Sequence, residues 1–410
     1  MFHSLYVDLN SFFASVEQQL DPALRGQPIG VLPVLAETTC CIAASIQAKQ
    51  FGIRTGTPVW EARKRCKTIK FVQARPSVYV EMHHKIVEAV ESCYPVAAVL
   101  SIDEMALDLT GRHTREEHAV KLARQIKRSI YAQAGEVMHC SIGIAPNRFL
   151  AKTASNFKKP DGLELIRPQE LPQILHKLEL TDLNGISHGM EKRLNRVGIR
   201  TVEQLCKAPV EKFRLAWGGI EGERYLAKLR GEVLPPQPTQ RSTVGHSHVL
   251  PPEMRNDESA LAVLYRLLHK AAMRLRHYGY YAGSLGVHVR YQDGGHFAEQ
   301  TRFAPHADTF KFNHVLAGLW ARRPRHAERP MSRPMKIGVV LSDLTEQRCV
   351  ARDLFEQDRQ GEGLSLALDQ INRRFGPNAV HFGAAHQGIG AAPMRIAFNH
   401  IPELSVENDG

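Results

Sequence analysis

Residues 96–109 read VAAVLSIDEMALDL, two apolar runs of β type on either side of a short segment that ends in the adjacent acids Asp103 and Glu104. The runs 96–100 and 105–109 predict a hairpin or two adjacent strands. Because side chains alternate along a strand, one of the two acids turns toward a buried face, where an unpaired carboxylate costs several kcal/mol. Such an acid needs a cation, so the segment predicts a metal site.

A third acid belongs to the same prediction. Residues 3–9, HSLYVDL, form a short apolar run that predicts a buried strand with Asp8 close to its end. Carboxylates suit Mg²⁺, which takes few of them, keeps waters and completes its octahedron with substrate phosphates. Two such ions can activate an attacking oxygen and stabilise a leaving oxygen in phosphoryl transfer. The alternative for Asp8 is a cap or turn residue at the end of its strand. Asp108 is a further candidate ligand, but its position is typical of a solvated residue.

Lysines at two places could neutralise a triphosphate beside such ions. Lys158 and Lys159 precede a Pro-Asp-Gly turn in NFKKPDG, residues 156–162, and Lys49 lies in ASIQAKQFGI, residues 44–53. The alternative in each case is a surface lysine, since a cation at the C-terminus of a helix complements the helix dipole.

Glycines interrupt a purely helical stretch from about residue 168 to 229. Gly185-Ile186 and the turn around Gly198 lie between short helices, where backbone N–H groups can approach phosphates without reading bases. Glycine helix caps would give the same letters, so both interpretations stay open. Four nearby cations favour the phosphate interpretation: Lys192, Arg193, Arg196 and Arg200.

The remaining pattern indicates an α+β chain of several domains. The first part predicts strands at 29–35, 39–44 and about 138–144, helices at 77–93 and about 115–134, and a helix opened by Pro146 and Asn147. Residues 231–243 contain three prolines and predict a linker. The order after the linker is βαββαβ, one sheet with two helices on a face, followed by a helix at about 363–375 and an unstructured tail.

Composition excludes several classes of protein. With 43% hydrophobic and 23% charged residues, the 410-residue chain is neither disordered nor collagen-like, and no apolar stretch approaches the roughly 20 residues that cross a bilayer. Seven cysteines without CxxC spacing predict buried reduced thiols in a cytosolic protein. The neighbouring histidines His83 and His84 are expected to be surface or strand residues rather than metal ligands.

The formal net charge of +11 is unevenly distributed. Residues 241–350 carry 16 basic and 9 acidic side chains and form the densest basic region. This surface indicates an anionic partner such as nucleic acid, with a merely soluble basic protein as the alternative.

Five segments, taken together, resemble one family. They are FHSLYVDLNSFFASVEQ, TGTP, LSIDEMALDLTG, CSIGIAPNRFLAKTASNFKKPDG and the glycine hairpin at 183–199. The set resembles the Y-family (translesion) DNA polymerases and is most similar to their bacterial DNA polymerase IV branch. The resemblance implies an α+β right-hand polymerase with palm and fingers over 1–166, a helical thumb with a helix-hairpin-helix over 167–230, a linker over 231–243, a βαββαβ little finger over 244–350, and a C-terminal helix and flexible tail over 351–410.

The resemblance also implies the metal site. Asp8, Asp103 and Glu104 match the catalytic acids, which would hold two Mg²⁺ ions with the Leu9 carbonyl as a further ligand.

Nucleotide and DNA contacts follow in the same way. Phe13 matches the steric gate, an aromatic ring that stacks on the sugar and excludes a 2′-OH. Phe12, Lys49 and Lys159 are assigned to nucleotide binding, although Phe12 is also typical of a core aromatic. The resemblance assigns the DNA backbone to Gly185, Ile186 and Gly198.

The sequence departs from the family pattern at several positions. Ile46 and Lys49 stand where the family commonly has Tyr and Arg, and Asn10 and Ala43 replace a frequent Asp and Thr. These changes concern nucleotide affinity and lesion preference rather than metal chemistry. The segment Arg352-Asp353-Leu354-Phe355 resembles the end of a sliding-clamp-binding peptide, whose initial glutamine is Ala351 here.

The expectation is therefore a monomeric DNA-directed DNA polymerase of the bacterial cytoplasm, acting at the nucleoid. It would use primer-template DNA and deoxynucleoside triphosphates, copy damaged template at low fidelity without proofreading, and serve SOS-type repair. One alternative is an accessory Y-family protein that binds DNA and recruits another polymerase; such relatives typically lose catalytic acids, and all three are present here. The other alternative is a palm-type nucleotide cyclase, but such an enzyme would not explain the hairpin thumb or the basic C-terminal domain.

Overall fold

The computed structural model describes residues 1–235, 240–323, 332–350, 360–391, 393, 396 and 401–403. The chain divides into two units. The first comprises Met1–Pro236 with Ile396–Ile401, and the second Gln237–Arg395 with Pro402–Gly410.

The first unit opens with alternating strands and helices. In chain order they are β1 (Ser4–Leu9), α1 (Phe12–Leu20), β2 (Ile29–Leu32), β3 (Ala43–Ala44), α2 (Ile46–Gln50), α3 (Val59–Arg65), β4 (Lys70–Gln73), α4 (Pro76–Glu91), β5 (Ala98–Ser101), β6 (Glu104–Asp108), α5 (Glu116–Ala134), β7 (Cys140–Ala145), α6 (Arg148–Ser155) and β8 (Leu163–Leu165).

A five-stranded sheet of order β5-β6-β1-β7-β8 holds the predicted acids. β5 and β6 pair antiparallel, which confirms the predicted hairpin. β1 lies between β6 and β7, antiparallel to both, and is buried along its whole length, as its apolar sequence requires.

A smaller sheet of order β3-β2-β4 forms apart from the first. The prediction of a continuous strand at 39–44 is wrong, because the strand paired with β2 is Ala43–Ala44, with one further bond from the Ile42 N–H to the Val31 carbonyl at 2.8 Å. The preceding residues pair elsewhere: the N–H of Cys41 donates to Thr57, and Cys40 forms an isolated bridge with Pro58.

Helix α6 packs directly on the five-stranded sheet because residue 143 is glycine. A Cβ on Gly143 would lie 1.9 Å from the Ala151 carbonyl oxygen and 2.5 Å from the Ser155 nitrogen. As predicted, Asn147 opens this helix: its Oδ1 accepts the Leu150 N–H at 2.9 Å. The Nδ2 of the same amide donates to the carbonyls of Lys228 at 2.8 Å and Glu232 at 2.9 Å.

The predicted helical stretch is confirmed. After short 3-10 turns it consists of α7 (His188–Arg196), α8 (Val202–Lys207), α9 (Val210–Trp217) and α10 (Ile220–Leu229). Ile186, Leu194, Ile199 and Phe213 are buried in its core.

The second unit has the predicted βαββαβ order. Its elements are β9 (Val244–Val249), α11 (Asp257–His277), β10 (Tyr280–Tyr291), β11 (His296–His306), α12 (Thr309–Ala321) and β12 (Pro334–Glu346), followed by α13 (Gln360–Phe375). The strands form one antiparallel sheet of order β11-β10-β12-β9.

The C-terminal region is more ordered than predicted. Residues Gly383–Gly388 form a 3-10 helix on α11, with Ala385 buried, so the expectation of an unstructured tail is wrong for this part. The cause is a close approach: a Cβ on Gly388 would lie 2.6 Å from the Ala262 carbonyl oxygen. Arg276 of α11 also binds Asp369 of α13 through two hydrogen bonds of 2.7 and 2.9 Å. The segment with Ala351 that resembles a clamp-binding peptide lies outside the described residues.

Two expectations drawn from composition concern membrane-spanning helices and the burial of the cysteines. Among the described helices, none is long and apolar enough to cross a membrane. Cys41, Cys66 and Cys140 are buried, whereas Cys40 and Cys349 are exposed, so the prediction of uniformly buried thiols is wrong for the last two.

Candidate active site

Strand pairing brings the three predicted acids to one edge of the five-stranded sheet. Asp8 of β1 lies directly opposite Glu104 of β6. Asp103 occupies the turn between β5 and β6, and its carbonyl accepts the Leu9 N–H at 2.9 Å, which attaches the turn to the end of β1. An apolar strand thus ends in acids that sit side by side.

A lysine that the sequence analysis did not single out joins two of these acids. The ammonium group of Lys152, on α6, forms ion pairs with Asp8 Oδ2 and with Glu104 Oε1. Lys152 and Asp8 have side chains only 13% and 5% exposed, so these pairs lie largely out of water. A lysine in a helical sequence does not show whether it binds a site or lies on a solvated surface, since lysine is common in both places. Only the packing of α6 on the sheet reveals its position.

Lys159 reaches the same carboxylate. Its Nζ lies 2.7 Å from Asp8 Oδ2, whereas the neighbouring Lys158 pairs with Glu164 at 2.7 Å. Of the two lysines before the Pro-Asp-Gly turn, Lys159 is therefore the one that belongs to the site.

Lys49 belongs to the same electrostatic environment. Burial, and then the charge of Lys159, lowers the pKa of Lys49, while the charges of Asp8 and Asp103 act in the opposite direction. Lys152 and Lys159 thus form ion pairs with the acids, and Lys49 is close enough for its pKa to respond to their charges.

Glu104 is also bonded to a tyrosine in the middle of β1. The hydroxyl of Tyr6 donates to Glu104 Oε2 at 2.7 Å. Burial, followed by the charge of Glu104, raises the pKa of Tyr6, so the hydroxyl stays protonated and remains a donor.

The charge of Lys152 is set by its two acid partners. Burial alone would lower the pKa of Lys152, but the charges of Asp8 and Glu104 outweigh it and the pKa is raised. Lys152 is therefore a stable cation.

Asp103 is held differently from the other two acids. Its Oδ1 accepts the Ser101 hydroxyl at 2.6 Å. Burial raises the pKa of Asp103; the Ser101 hydrogen bond opposes this rise and the charges of Glu104 and Asp8 add to it. An acid that is costly to ionise alone gains strongly from a cation.

The donor chemistry fits Mg²⁺, although the acids are not arranged as a closed ligand set. Among the residues that the structure describes, no three Asp, Glu, His or Cys side chains gather closely enough to form one. Two carboxylates that already share one ammonium group nevertheless form a site for cations. Carboxylate oxygens, with the Leu9 carbonyl close by in sequence, are the ligands that Mg²⁺ takes in proteins.

Asn10, a departure from the family pattern, fixes the loop that carries Lys159. Its Oδ1 accepts the Asp161 N–H at 2.7 Å, and its Nδ2 donates to Ser141 Oγ at 3.0 Å. From α5, Lys127 donates to the Asp161 carbonyl at 2.9 Å and to its carboxylate at 2.5 Å. Lys127, like Lys152, was missed by sequence reasoning.

The two adjacent phenylalanines of α1 have different surroundings. Phe12 is 3% exposed and lies in the core, as the alternative of a core aromatic predicts. Phe13 is partly exposed and stacks on Tyr79, with ring centroids 4.5 Å apart and planes 15° from parallel. The Tyr79 hydroxyl donates to Glu17 at 2.7 Å, which fixes the ring beneath Phe13.

The glycine turns of the helical stretch serve as helix ends. Gly185 and Gly198 have φ of +85° and +79°, in the left-handed region that favours glycine. The Ile186 N–H donates to Leu183 and the Gly198 N–H to Asn195, each at 3.1 Å. Gly198 directly follows the end of α7, as a helix-capping glycine does, whereas Gly185 lies in the turn before α7. Contact with phosphates stays a prediction for both. The four neighbouring cations, Lys192, Arg193, Arg196 and Arg200, are exposed.

Comparison with known proteins gives a consistent result. The chain is 32% identical over 393 residues to DNA polymerase IV of Moorella thermoacetica, covering 94% of this chain and 96% of that protein. It is 27% identical to DNA polymerase IV 1 of Bacillus subtilis strain 168, covering 92% of each. Among solved structures, a Y-family DNA polymerase chimera, Dbh-Dpo4(243-245)-Dbh, matches with a TM-score of 0.70 and 25% identity, over 84% of this chain and all of the chimera. An insertion ternary complex of Dbh DNA polymerase matches over the same shares with a TM-score of 0.57.

The palm sheet with its acids, the helical thumb and the βαββαβ little finger define a right-hand polymerase. The impB/mucB/samB family model matches residues 7–156, and the model of that family's C-terminal domain matches residues 241–354. The chain belongs to this family, the Y-family DNA polymerases.

Proposed function

We propose that this protein extends primers on damaged or distorted template DNA as a translesion DNA polymerase. Its family, its relatives named DNA polymerase IV and its Y-family structural neighbours support this function. Within the chain, the proposal rests on one observation: Asp8 and Glu104 lie opposite each other across paired strands and share a lysine cation.

Metal binding is assigned to Asp8, Asp103 and Glu104, with the Leu9 carbonyl as a further ligand, and two Mg²⁺ ions as the group they hold. When bound, the ions would supply positive charge to the phosphoryl oxygens and lower the pKa of the primer hydroxyl. Tyr6 and Ser101 orient the carboxylates of Glu104 and Asp103 by hydrogen bonds.

Triphosphate binding is assigned to Lys159 and Lys49. Lys159 pairs with Asp8, and the charges of Lys159 and Asp8 both act on the pKa of Lys49, which supports a role for the two lysines at the same site. An ammonium group that pairs with a carboxylate before the nucleotide binds can pair with a phosphate oxygen afterwards, because both partners are anionic oxygens. Phe13, supported by Tyr79, is assigned to the sugar of the nucleotide as the steric gate.

DNA contacts are assigned to the helical hairpins at Gly185, Ile186 and Gly198 and to the basic second unit. We propose primer-template DNA and deoxynucleoside triphosphates as the substrates, a monomeric enzyme in the bacterial cytoplasm, low fidelity without proofreading, and an SOS-type role. A sliding clamp is a further candidate partner, through the segment that begins at Ala351.

Primer extension with Asp103→Ala tests the metal assignment. We expect loss of extension on both an undamaged and an abasic template, with unchanged binding of primer-template DNA, because the acid binds the ions and not the duplex. Asp108→Ala is the matched control: Asp108 is an acid of the same hairpin, but its exposed carboxylate pairs with Arg148 at 2.7 Å. Retained extension by Asp103→Ala would contradict the assignment.

The same assay separates the alternatives. An accessory DNA-binding protein would bind the duplex and extend no primer even as wild type with Mg²⁺. A nucleotide cyclase would consume nucleotide without any primer. All three acids remain in the chain, which favours the polymerase over the accessory protein.

A further inference from the structure

A buried histidine lies beneath the acidic turn. His83 is part of α4, not of a strand or the surface as the sequence suggested, and its side chain is 2% exposed. Its Nδ1 lies 2.7 Å from the Ile102 carbonyl oxygen. Since a carbonyl only accepts, Nδ1 carries the proton and donates it.

The bonded carbonyl belongs to the residue immediately before Asp103. Ile102 is itself buried, at 6% exposure, so its carbonyl has little access to water. Three further hydrogen bonds hold the turn at Asp103: its carbonyl accepts the Leu9 N–H, its carboxylate accepts the Ser101 hydroxyl, and its N–H donates to the same Ser101 oxygen at 3.4 Å. The Ile102 carbonyl shares its peptide unit with the Asp103 N–H, so His83 and Ser101 bind the two sides of that one peptide.

We propose that His83 is a positioning residue, which fixes the peptide between Ile102 and Asp103 and thereby the orientation of the Asp103 carboxylate toward bound metal. The proposal rests on the proposed function, in which Asp103 is a metal ligand. Partners that orient metal ligands typically change metal affinity 10–100-fold when they are replaced. A distant helix, α4, thus contributes to the metal site without touching metal or substrate.

Manganese binding tests the role directly. Free Mn²⁺ is measured by electron paramagnetic resonance during titration of the full chain with dideoxy-terminated primer-template DNA and the next nucleotide. We expect His83→Leu to weaken Mn²⁺ binding about ten-fold. We expect His83→Asn to restore it, because the asparagine amide can place a donor near the position of Nδ1. His84→Leu is the matched control, since His84 is exposed on the same helix with its ring 5.5 Å from that of His83.

The outcomes separate this proposal from the function on which it rests. Wild-type Mn²⁺ binding by His83→Leu, with weakened binding by Asp103→Ala, overturns the role of His83 and leaves the function standing. Unchanged binding by Asp103→Ala overturns the metal assignment itself. If His83→Leu unfolds at a lower temperature than the assay, His83→Phe takes its place, with the same expected loss, because phenylalanine fills the space without a donor. Failure of His83→Asn to restore binding also contradicts the proposal.

Discussion

Phe13 is a side chain whose proposed role depends on a single neighbour. Its ring stacks on Tyr79, which is completely buried and bonded to Glu17. A ring supported from below cannot retreat when a bulkier sugar enters, so the stack gives the proposed steric gate its stiffness.

Replacement of Phe13 by alanine should admit ribonucleotides. We expect the ratio of kcat/KM for a ribonucleotide to that for the matching deoxynucleotide to rise about 100-fold, the discrimination that a shaped pocket achieves against one added group. Steady-state incorporation of single nucleotides measures the ratio. Phe13→Tyr keeps the ring and should keep the selectivity; an unchanged ratio in the alanine variant would remove the gate.

Single residues also show where sequence reasoning succeeds and where it stops. Asp8 and Glu104 could be singled out because acids stand out against apolar strands, and the family resemblance predicted that they share one site; the structure places them opposite each other. Lys152 and His83 could not, since their partners lie 144 and 19 residues away and depend on how α6 and α4 pack. The sequence of an amphipathic helix does not show which residues its lysines and histidines contact in the folded protein.

Helix α11 contains a histidine that makes the second unit sensitive to acid. His269 donates to Asn313 Oδ1 at 2.9 Å and lies 4.6 Å, ring to ring, from Phe382 at the start of the C-terminal 3-10 helix. Burial, with the nearby charges of Arg266 and Arg276, lowers the pKa of His269 to about 4 against the Asn313 bond. The folded unit therefore binds fewer protons here than the unfolded chain.

This difference predicts a loss of stability in acid. The stability contribution is fully present above the unfolded pKa of about 6.5 and is lost as the pH falls toward 4, about 2 kcal/mol of it by pH 5. Denaturant unfolding of the second unit at pH 7 and pH 5 measures the change. His269→Gln keeps a donor for Asn313 without titrating, so it should lose less stability between these pH values.

The matched comparison uses the exposed neighbour of Asn313. His314→Gln, on α12, should retain the acid sensitivity of the wild type. Equal losses in wild type and His269→Gln would show that other groups cause the acid response.

Elements differ in how well they could be predicted. Helix α11 forms where the βαββαβ order requires a helix: Asn256 caps it, accepting the Ser259 N–H at 2.8 Å, and a regular apolar face runs along it. The strand predicted at 39–44 failed because a local β-propensity was overridden by pairing with residues 56–58. The prediction of an unstructured tail failed because Gly388 allows the tail to pack closely on α11, whereas a glycine-rich composition by itself predicts disorder.

On the scale of the whole molecule, charge predicts how the protein holds DNA. Residues 241–350 carry 16 basic and 9 acidic side chains, and exposed cations surround the helical hairpin of the first unit. Affinity that arises from such charges comes from released counterions and depends on salt.

Affinity for primer-template DNA should therefore fall steeply with salt. If six phosphates are neutralised, we expect binding about 1,000-fold weaker at 200 mM than at 50 mM salt. Fluorescence anisotropy of labelled DNA over this range gives the slope. Affinity that does not respond to salt would mean that the positive charge serves solubility and not DNA.

The boundary between the two units could be predicted because a proline-rich stretch lies there. The sequence signals a change of unit at the prolines after residue 231, and the structure divides its units at Pro236. What the sequence could not supply is how α10 is fastened to the palm, since that depends on one amide in a helix cap.

That amide, on Asn147, links two parts of the first unit that are distant in sequence. Its oxygen holds the first turn of α6, and its nitrogen holds the carbonyls of Lys228 and Glu232 at the end of α10. A rigid, planar group cannot follow α10 outward and still face Leu150. Movement of α10 away from α6 would therefore break its two carbonyl bonds to Asn147 or the cap of the helix that carries Lys152, the lysine paired with Asp8 and Glu104.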